Sequence, residues 1–125
     1  MRIAVLSDIH GNLPALDAVL AAVAPVDAVW QLGDVVGYGP QPDEVVARLS
    51  EVGATGVRGN HDAAAIGELD TSTFNTDART AVLWTGTRIG APTRTWLRAL
   101  PETSSANDFT LAHGSPREPV WEYVL

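Results

Sequence analysis

The apolar positions of this chain follow two periods, and the switches between them lay out its elements. Ile3 to Leu6 is an unbroken apolar run that gives way at Ser7-Asp8. A short continuous run suits a strand covered on both faces. Leu13, Leu16, Leu20 and Val23 then recur at helical spacing, behind Asn12 as the cap and with Pro14 in the first turn. Pro25 closes that helix, and Asp27 to Leu32 is a second apolar run ending at Gly33-Asp34. A glycine- and proline-rich loop covers Val36 to Pro42. Val45, Val46, Leu49 and Val52 mark the buried stripe of a helix from Pro42 through Val52, with Gly53 as its C-terminal cap. Thr55 to Arg58 reads as a third strand, ending at Gly59-Asn60. Strand, helix, strand, helix, strand in this order predicts a parallel sheet with right-handed crossovers.

Beyond Asp62 the pattern loosens. Ala63 to Ile66 is a short helical turn. Asn75 caps a helix to about Trp84, Thr93 caps another to Leu100, and Pro101 stops it. Phe109 to Ala112 is a last short strand delivering His113. The expected fold class is α/β: a mainly parallel sheet with flanking helices and strands near residues 2–7, 28–32, 55–58 and 109–112. The tail from Glu118 to Leu125 is apolar and aromatic and carries no polar terminus. Such a run needs somewhere to be buried. Residues 1–125 therefore read as one domain that forms the first half of a longer protein.

Composition narrows the partners. A length of 125 residues supports one domain with a real core. The net charge of −7 argues against nonspecific binding to nucleic acid or to an anionic membrane. Phosphate still has a place if metal ions supply local positive charge. The chain has no cysteine, which excludes disulfides and thiolate metal sites. It has no signal-peptide pattern and no apolar stretch of spanning length, so the expected location is the cytoplasm.

The candidate chemistry sits where apolar runs give way to loops. Asp8-Ile9-His10, Gly33-Asp34, Gly59-Asn60-His61-Asp62 and His113-Gly114 together hold all three histidines. Ligands of parallel α/β sheets bind outside the carboxyl ends of the strands, so residues far apart in sequence can share a site there. Asp8 and His10 need a bent strand end to converge, and Gly11 permits it. Alone, each string has an ordinary explanation: Asp8 as a turn residue, Gly33-Asp34 as a turn, Asn60-His61-Asp62 as a helix cap, His113-Gly114-Ser115-Pro116 as a plain loop. In order, each at a strand end, they predict one metal-binding pocket. Mixed oxygen and nitrogen donors favour Mn, Fe, Co, Ni or Zn, with Mn first, over Mg or Ca. Arg58 and Arg117 read as surface ion-pair partners, and Trp84, Trp96 and Trp121 as packing. Tyr38 suits either a pocket wall or loop packing.

Ser7-Asp8-Ile9-His10-Gly11-Asn12, Gly33-Asp34 to Tyr38-Gly39-Pro40, Arg58-Gly59-Asn60-His61-Asp62 and His113-Gly114-Ser115-Pro116 resemble the blocks of the calcineurin-like metallophosphoesterases. The resemblance covers nearly the whole chain, and the Tyr38-Gly39-Pro40 loop looks like the small phosphodiesterase-like branch of bacteria and archaea. It implies a four-layer αββα sandwich, of which this chain is the N-terminal half. It also implies that Asp8 and His10 hold one metal, that Asn60 and His113 hold the other, and that Asp34 bridges them. A Gly-His-x-His string supplies one further histidine to each metal in that family, and the chain reaches Leu125 without it. His61 is implied as the general acid at the leaving oxygen, oriented and kept protonated by Asp62. The implied activity is hydrolysis of phosphodiesters or small phosphomonoesters by a two-metal site.

A second reading makes the 125 residues an impaired or non-catalytic fragment that binds a metal or a partner. An exposed apolar sheet face would then drive aggregation or self-association. A Rossmann-type nucleotide domain is weakly supported, because no Gly-x-Gly-x-x-Gly follows the first strand.

Overall fold

A computed structural model describes residues 1–125. Strands β1 (Ile3–Leu6), β2 (Ala28–Gln31) and β3 (Thr55–Gly56) form a three-stranded parallel sheet in the order β1-β2-β3. Helices α1 (Leu13–Val23) and α2 (Pro42–Glu51) are its crossovers. Asn12 caps α1 by accepting from the Ala15 N–H at 3.1 Å. Gly53, just past α2, takes φ +66°, the left-handed conformation expected of a residue ending a helix. α3 (Asn60–Ala65), α4 (Thr76–Arg88) and α5 (Ala91–Ala99) follow, then β4 (Thr103–Ala106) and β5 (Phe109–Ala112).

The pleat explains which residues are inside. Ala4 pairs with Val29 and Leu6 with Gln31 in the ladder, so these residues share a face. Ala4 and Val29 on that face join Leu16 and Leu20 of α1, Val45, Val46 and Leu49 of α2, Val82 of α4 and Leu97 of α5 in one apolar cluster. Leu49 and Leu97 are completely buried, so truncating either to alanine costs about 2–5 kcal/mol. The opposite face carries Ile3, Val5, Trp30 and Leu32. There Trp30 packs with Val57 and Leu111 in a smaller cluster.

Several boundaries differ from the expected ones. Phe109–Ala112 does not join the parallel sheet. It pairs antiparallel with β4, a strand that the periodicity did not indicate. Thr103–Ala106 is a small, polar run with no apolar alternation, so its pairing is set by the Asn107-Asp108 turn, with Asn107 at φ 53°. The hairpin covers part of the second sheet face through Leu111 and Ala106, while Val5 remains 53% exposed. β3 keeps only two residues, and the Arg58 N–H donates to Pro101 O at 2.8 Å rather than to β2. The helical turn expected at Ala63 begins earlier, at Asn60, with Gly59 as its cap. α4 runs past Trp84 to Arg88, and α5 begins at Ala91 rather than beside Thr93, since Pro92 fits a first helical turn. No helix is long and apolar enough to cross a membrane.

Candidate metal centre

The site is assembled by two loops that leave the sheet together. The Asp8 N–H donates to Gly33 O at 3.1 Å, the His10 N–H to Asp34 O at 2.9 Å and the Gly11 N–H to Val35 O at 2.9 Å. Asp8, His10 and Asp34 sit at φ 55°, 49° and 55°. Left-handed backbone at non-glycine residues costs about 1–3 kcal/mol each and concentrates at functional sites. Gln31 ties in the third strand. Its Nε2 donates to Val57 O at 2.9 Å and its Oε1 accepts from the Gly33 N–H at 2.8 Å. Sequence reasoning passed over Gln31. The signal was a lone amide inside the apolar run from Asp27 to Leu32.

Two glycines let these loops touch. A Cβ on Gly59 would stand 2.1 Å from Asp34 Oδ1, and one on Gly33 would stand 2.6 Å from Gly59 N and 2.9 Å from His113 Nδ1. Any side chain at either place would push the loops apart.

Asp34 is the centre of the constellation and is 3% exposed. His10 Nε2 lies 3.6 Å from Asp34 Oδ2 and 3.6 Å from Asp8 Oδ1. His113 Nε2 lies 3.5 Å from the same Asp34 oxygen and 3.1 Å from Asn60 Oδ1. Asp8, Asp34 and His113 each offer an atom within 4.8 Å of the others. All five residues singled out as metal ligands therefore line one cavity of about 400 Å³, together with Tyr38, His61 and Trp121.

The donor set fits a divalent cation. His10 Nδ1 is 3.0 Å from Val36 O, and His113 Nδ1 is 2.8 Å from Leu32 O. A carbonyl only accepts, so both rings carry their proton on Nδ1 and turn an Nε2 lone pair inward. That is how a metal-ligating histidine is held. Asn60 Oδ1 also faces acceptors only. With the amide turned over, its nitrogen donates to His113 Nε2 at 3.1 Å and to the two Asp34 oxygens at 3.2 and 3.3 Å. In the metal-free pocket the Asn60 amide therefore turns its nitrogen inward. Burial, then the charges of Asp62 and Asp8, push Asp34 up to about 8 against the hydrogen bond from the His61 N–H. A carboxyl that resists ionising, beside two imidazole lone pairs, becomes a stable anion once a cation sits among them.

The pairing expected between His61 and Asp62 is not formed. Asp62, fully buried, accepts from the Val36 N–H at 3.1 Å and the Gly59 N–H at 3.0 Å. Its work is to join the loop after β2 to the start of α3. Helical geometry explains the miss: adjacent residues on a helix point about 100° apart, so Asp62 cannot share the direction of His61. His61 is instead boxed in by rings, with centroids 4.8 Å from His10, 4.9 Å from Tyr38 and 5.1 Å from Phe74. Its Nδ1 is buried without a partner. Burial first, then the neighbouring His10 and His113, push it down to about 4. The metal-free protein therefore holds it neutral at pH 7.

Arg58 is an ion-pair residue, 2.6 Å from Glu68 and 3.9 Å from Glu102. Arg117 pairs with Glu122. Tyr38 is a wall of the cavity. Trp96 packs against the main core and Trp121 against Phe74, 5.2 Å between centroids.

The sequence pattern of the calcineurin-like phosphoesterases matches residues 1–123. A crystal structure of a metallophosphoesterase from Sphaerobacter thermophilus superposes with a TM-score of 0.85 at 46% identity, covering 99% of this chain and 51% of that one. An uncharacterized protein of Methanocaldococcus jannaschii is 36% identical over 130 residues, 98% of this chain and 54% of that protein. The phosphodiesterase YfcE of Escherichia coli strain K12 is 42% identical over 74 residues, 50% of this chain and 40% of that enzyme. The chain spans about half the length of the relatives it matches. The strand-end motifs, the parallel sheet beneath them and the match over residues 1–123 agree, and the chain belongs to the calcineurin-like phosphoesterase family.

Proposed function

We propose that the protein is a metal-dependent hydrolase of phosphate esters, acting on phosphodiesters or small phosphomonoesters. In this reading two divalent ions, manganese first among Mn, Fe, Co, Ni and Zn, lie in the pocket around Asp34. Asp8 and His10 would hold one, Asn60 and His113 the other, with Asp34 as the ligand the two would share. The observation that carries it is the position of Asp34 Oδ2, with one imidazole Nε2 at 3.6 Å and another at 3.5 Å. When bound, such a pair lowers the pKa of water and offsets charge on the phosphoryl oxygens.

The remaining work falls to the chain's own side chains. Asp34 and Asp8 balance the positive charge. His61 faces the pocket and donates a proton to the oxygen of the leaving group. A phosphate anion brought beside it raises its affinity for a proton, so protonation is coupled to substrate binding. Asp62 is a positioning residue that keeps the loop after β2 against α3. Two further ligands come, in this reading, from a Gly-His-x-His string beyond residue 125. Residues 1–125 alone would then bind metal more weakly and turn over slowly.

The test is hydrolysis of bis(4-nitrophenyl) phosphate and 4-nitrophenyl phosphate by the complete protein, with each of the five metals. Metal-dependent release of nitrophenolate from at least one ester is the expected outcome. No release with any metal overturns the reading.

A further inference from the structure

The His61 imidazole has packing where a hydrogen bond would be expected. A proton-donating histidine is ordinarily oriented by a hydrogen bond at its second ring nitrogen. Here Nδ1 is buried without a partner. Gly37 closes over that side of the ring, since a Cβ at Gly37 would stand 2.5 Å from Nδ1 and 3.1 Å from His61 Cβ. Aromatic rings take up the remaining contacts. Tyr38 and His10 line the cavity with His61. Phe74 stands 5.1 Å from the His61 centroid at an interplanar angle of 49°, and it does not line the cavity. Trp121 meets Phe74 edge-on, 5.2 Å between centroids at 87°. These separations fall in the range of packed aromatic pairs.

The local sequence brings Phe74 to this place. It precedes Asn75, which caps α4 by accepting from the Ala78 N–H at 2.9 Å. An apolar residue just before a cap commonly packs against the fourth helical residue. In α4 that residue is Arg79, so the usual apolar partner is absent. The turn before the cap is closed by the Phe74 N–H donating to Thr71 O at 3.1 Å and the Ser72 N–H donating to Asp70 at 2.9 Å. The ring is half-buried and packs against the main core, His61 and Trp121.

We propose that Phe74 is a positioning residue for proton transfer: backed by Trp121, it fixes the His61 ring in the pocket in place of the missing hydrogen bond. This rests on the reading of His61 as the proton donor to the leaving oxygen. It gives Phe74 a task besides its contact with the core, and one that does not require it to touch substrate or metal.

The test uses the complete, manganese-loaded protein and two esters of the class it hydrolyses that differ in the leaving group, phenyl and 4-nitrophenyl. Phenolate needs the acid, and nitrophenolate needs it far less. A small misplacement of a reacting group costs up to about a hundredfold in rate. Phe74→Leu is expected to lower kcat for the phenyl ester by about tenfold to a hundredfold, with the 4-nitrophenyl ester, KM and metal content nearly unchanged. Phe74→Tyr, which keeps the ring, should recover most of the rate. In a His61→Ala background Phe74→Leu should cost nothing further, since both changes act on one group. The imidazole Cε1–H resonance of His61 in the metal-free protein is recognised by its absence from His61→Gln. It should move toward the free-imidazole position in Phe74→Leu and return in Phe74→Tyr. Should Phe74→Leu unfold the loop, Phe74→Met keeps most of the volume without the ring and should give the same readings. Equal losses for both esters, additive losses in the double variant, or an unmoved His61 resonance overturn the inference and leave the phosphoesterase reading standing. If no ester is turned over, or if His61→Ala leaves the phenyl ester's rate unchanged, the reading beneath it fails and the inference falls with it.

Discussion

The two ends of the parallel sheet are built by opposite rules. At the amino end, polar groups meet in water: the Arg2 backbone N–H donates to Asp27 Oδ2 at 2.6 Å, and Arg48 pairs with Asp17 at 2.7 Å. At the carboxyl end Asp34 and Asp62 are withdrawn from solvent, and four of the five non-glycine residues with positive φ, Asp8, His10, Asp34 and Tyr38, cluster there. Burying a carboxyl and bending three of its neighbours costs several kcal/mol that the rest of the domain must offset. The candidate site lies at the strained end of a sheet whose other end is relaxed.

Removing the cation should have the largest effect, since it leaves the costly end without its purpose. Chelation of the complete protein is expected to abolish ester hydrolysis, and added Mn²⁺ to restore it, followed by nitrophenolate release. Activity unaffected by exhaustive chelation would break the comparison at once. Next comes His61→Ala in the complete protein. Loss of a general acid typically costs about 10²–10⁴-fold, with metal content nearly unchanged, and the loss should shrink for nitrophenyl esters, whose leaving groups need little protonation. Loss of metal on this substitution would make His61 a ligand instead.

Gly59→Ala should come third. Its Cβ would meet Asp34 Oδ1 at 2.1 Å and Asp34 N at 2.4 Å, and overpacking of this kind costs about 1–3 kcal/mol or more. Urea denaturation should report the loss, and metal retention should fall with it. Arg48→Ala, at the relaxed end, is the control: an exposed pair contributes little, so its melting temperature and metal affinity should match the parent.

The pH dependence sharpens the contrast. Asp34 is pushed up to about 8 in the metal-free protein, above its ordinary value near 3.8. A raised folded value means its contribution to stability is complete below about pH 4 and is lost as pH rises toward 8. A cation must displace that proton, so metal affinity should climb about fivefold from pH 7 to 8 and level off above that. Calorimetry in two buffers of different ionisation enthalpy would count the released proton. A pH-independent affinity with no proton release would contradict the assignment.

The first half of the chain was legible because each element carried its own signal. The runs at Ile3 and Asp27, the stripe Val45, Val46, Leu49, and the cap at Asn12 are local patterns, and most of the site residues fall where those patterns stop. The β4–β5 hairpin was missed because Thr103–Ala106 has no pattern of its own and is recruited by a turn. The roles of Gln31 and Asp62 were hidden for another reason. Both act through backbone groups more than 20 residues away or across a loop, and sequence spacing does not encode those contacts. The separation of His61 from Asp62 follows from the helix starting at Asn60 rather than Ala63, a shift too small for periodicity to detect.

The most direct test of the central claim is a manganese titration of the complete protein beside its Asp34→Asn variant, read as ions bound per chain. An oxygen shared by two imidazoles at 3.6 and 3.5 Å predicts two ions in the parent. It also predicts that both weaken together in the variant, with hydrolysis lost in parallel. A variant that keeps two tightly bound ions and full activity would show that Asp34 bridges nothing.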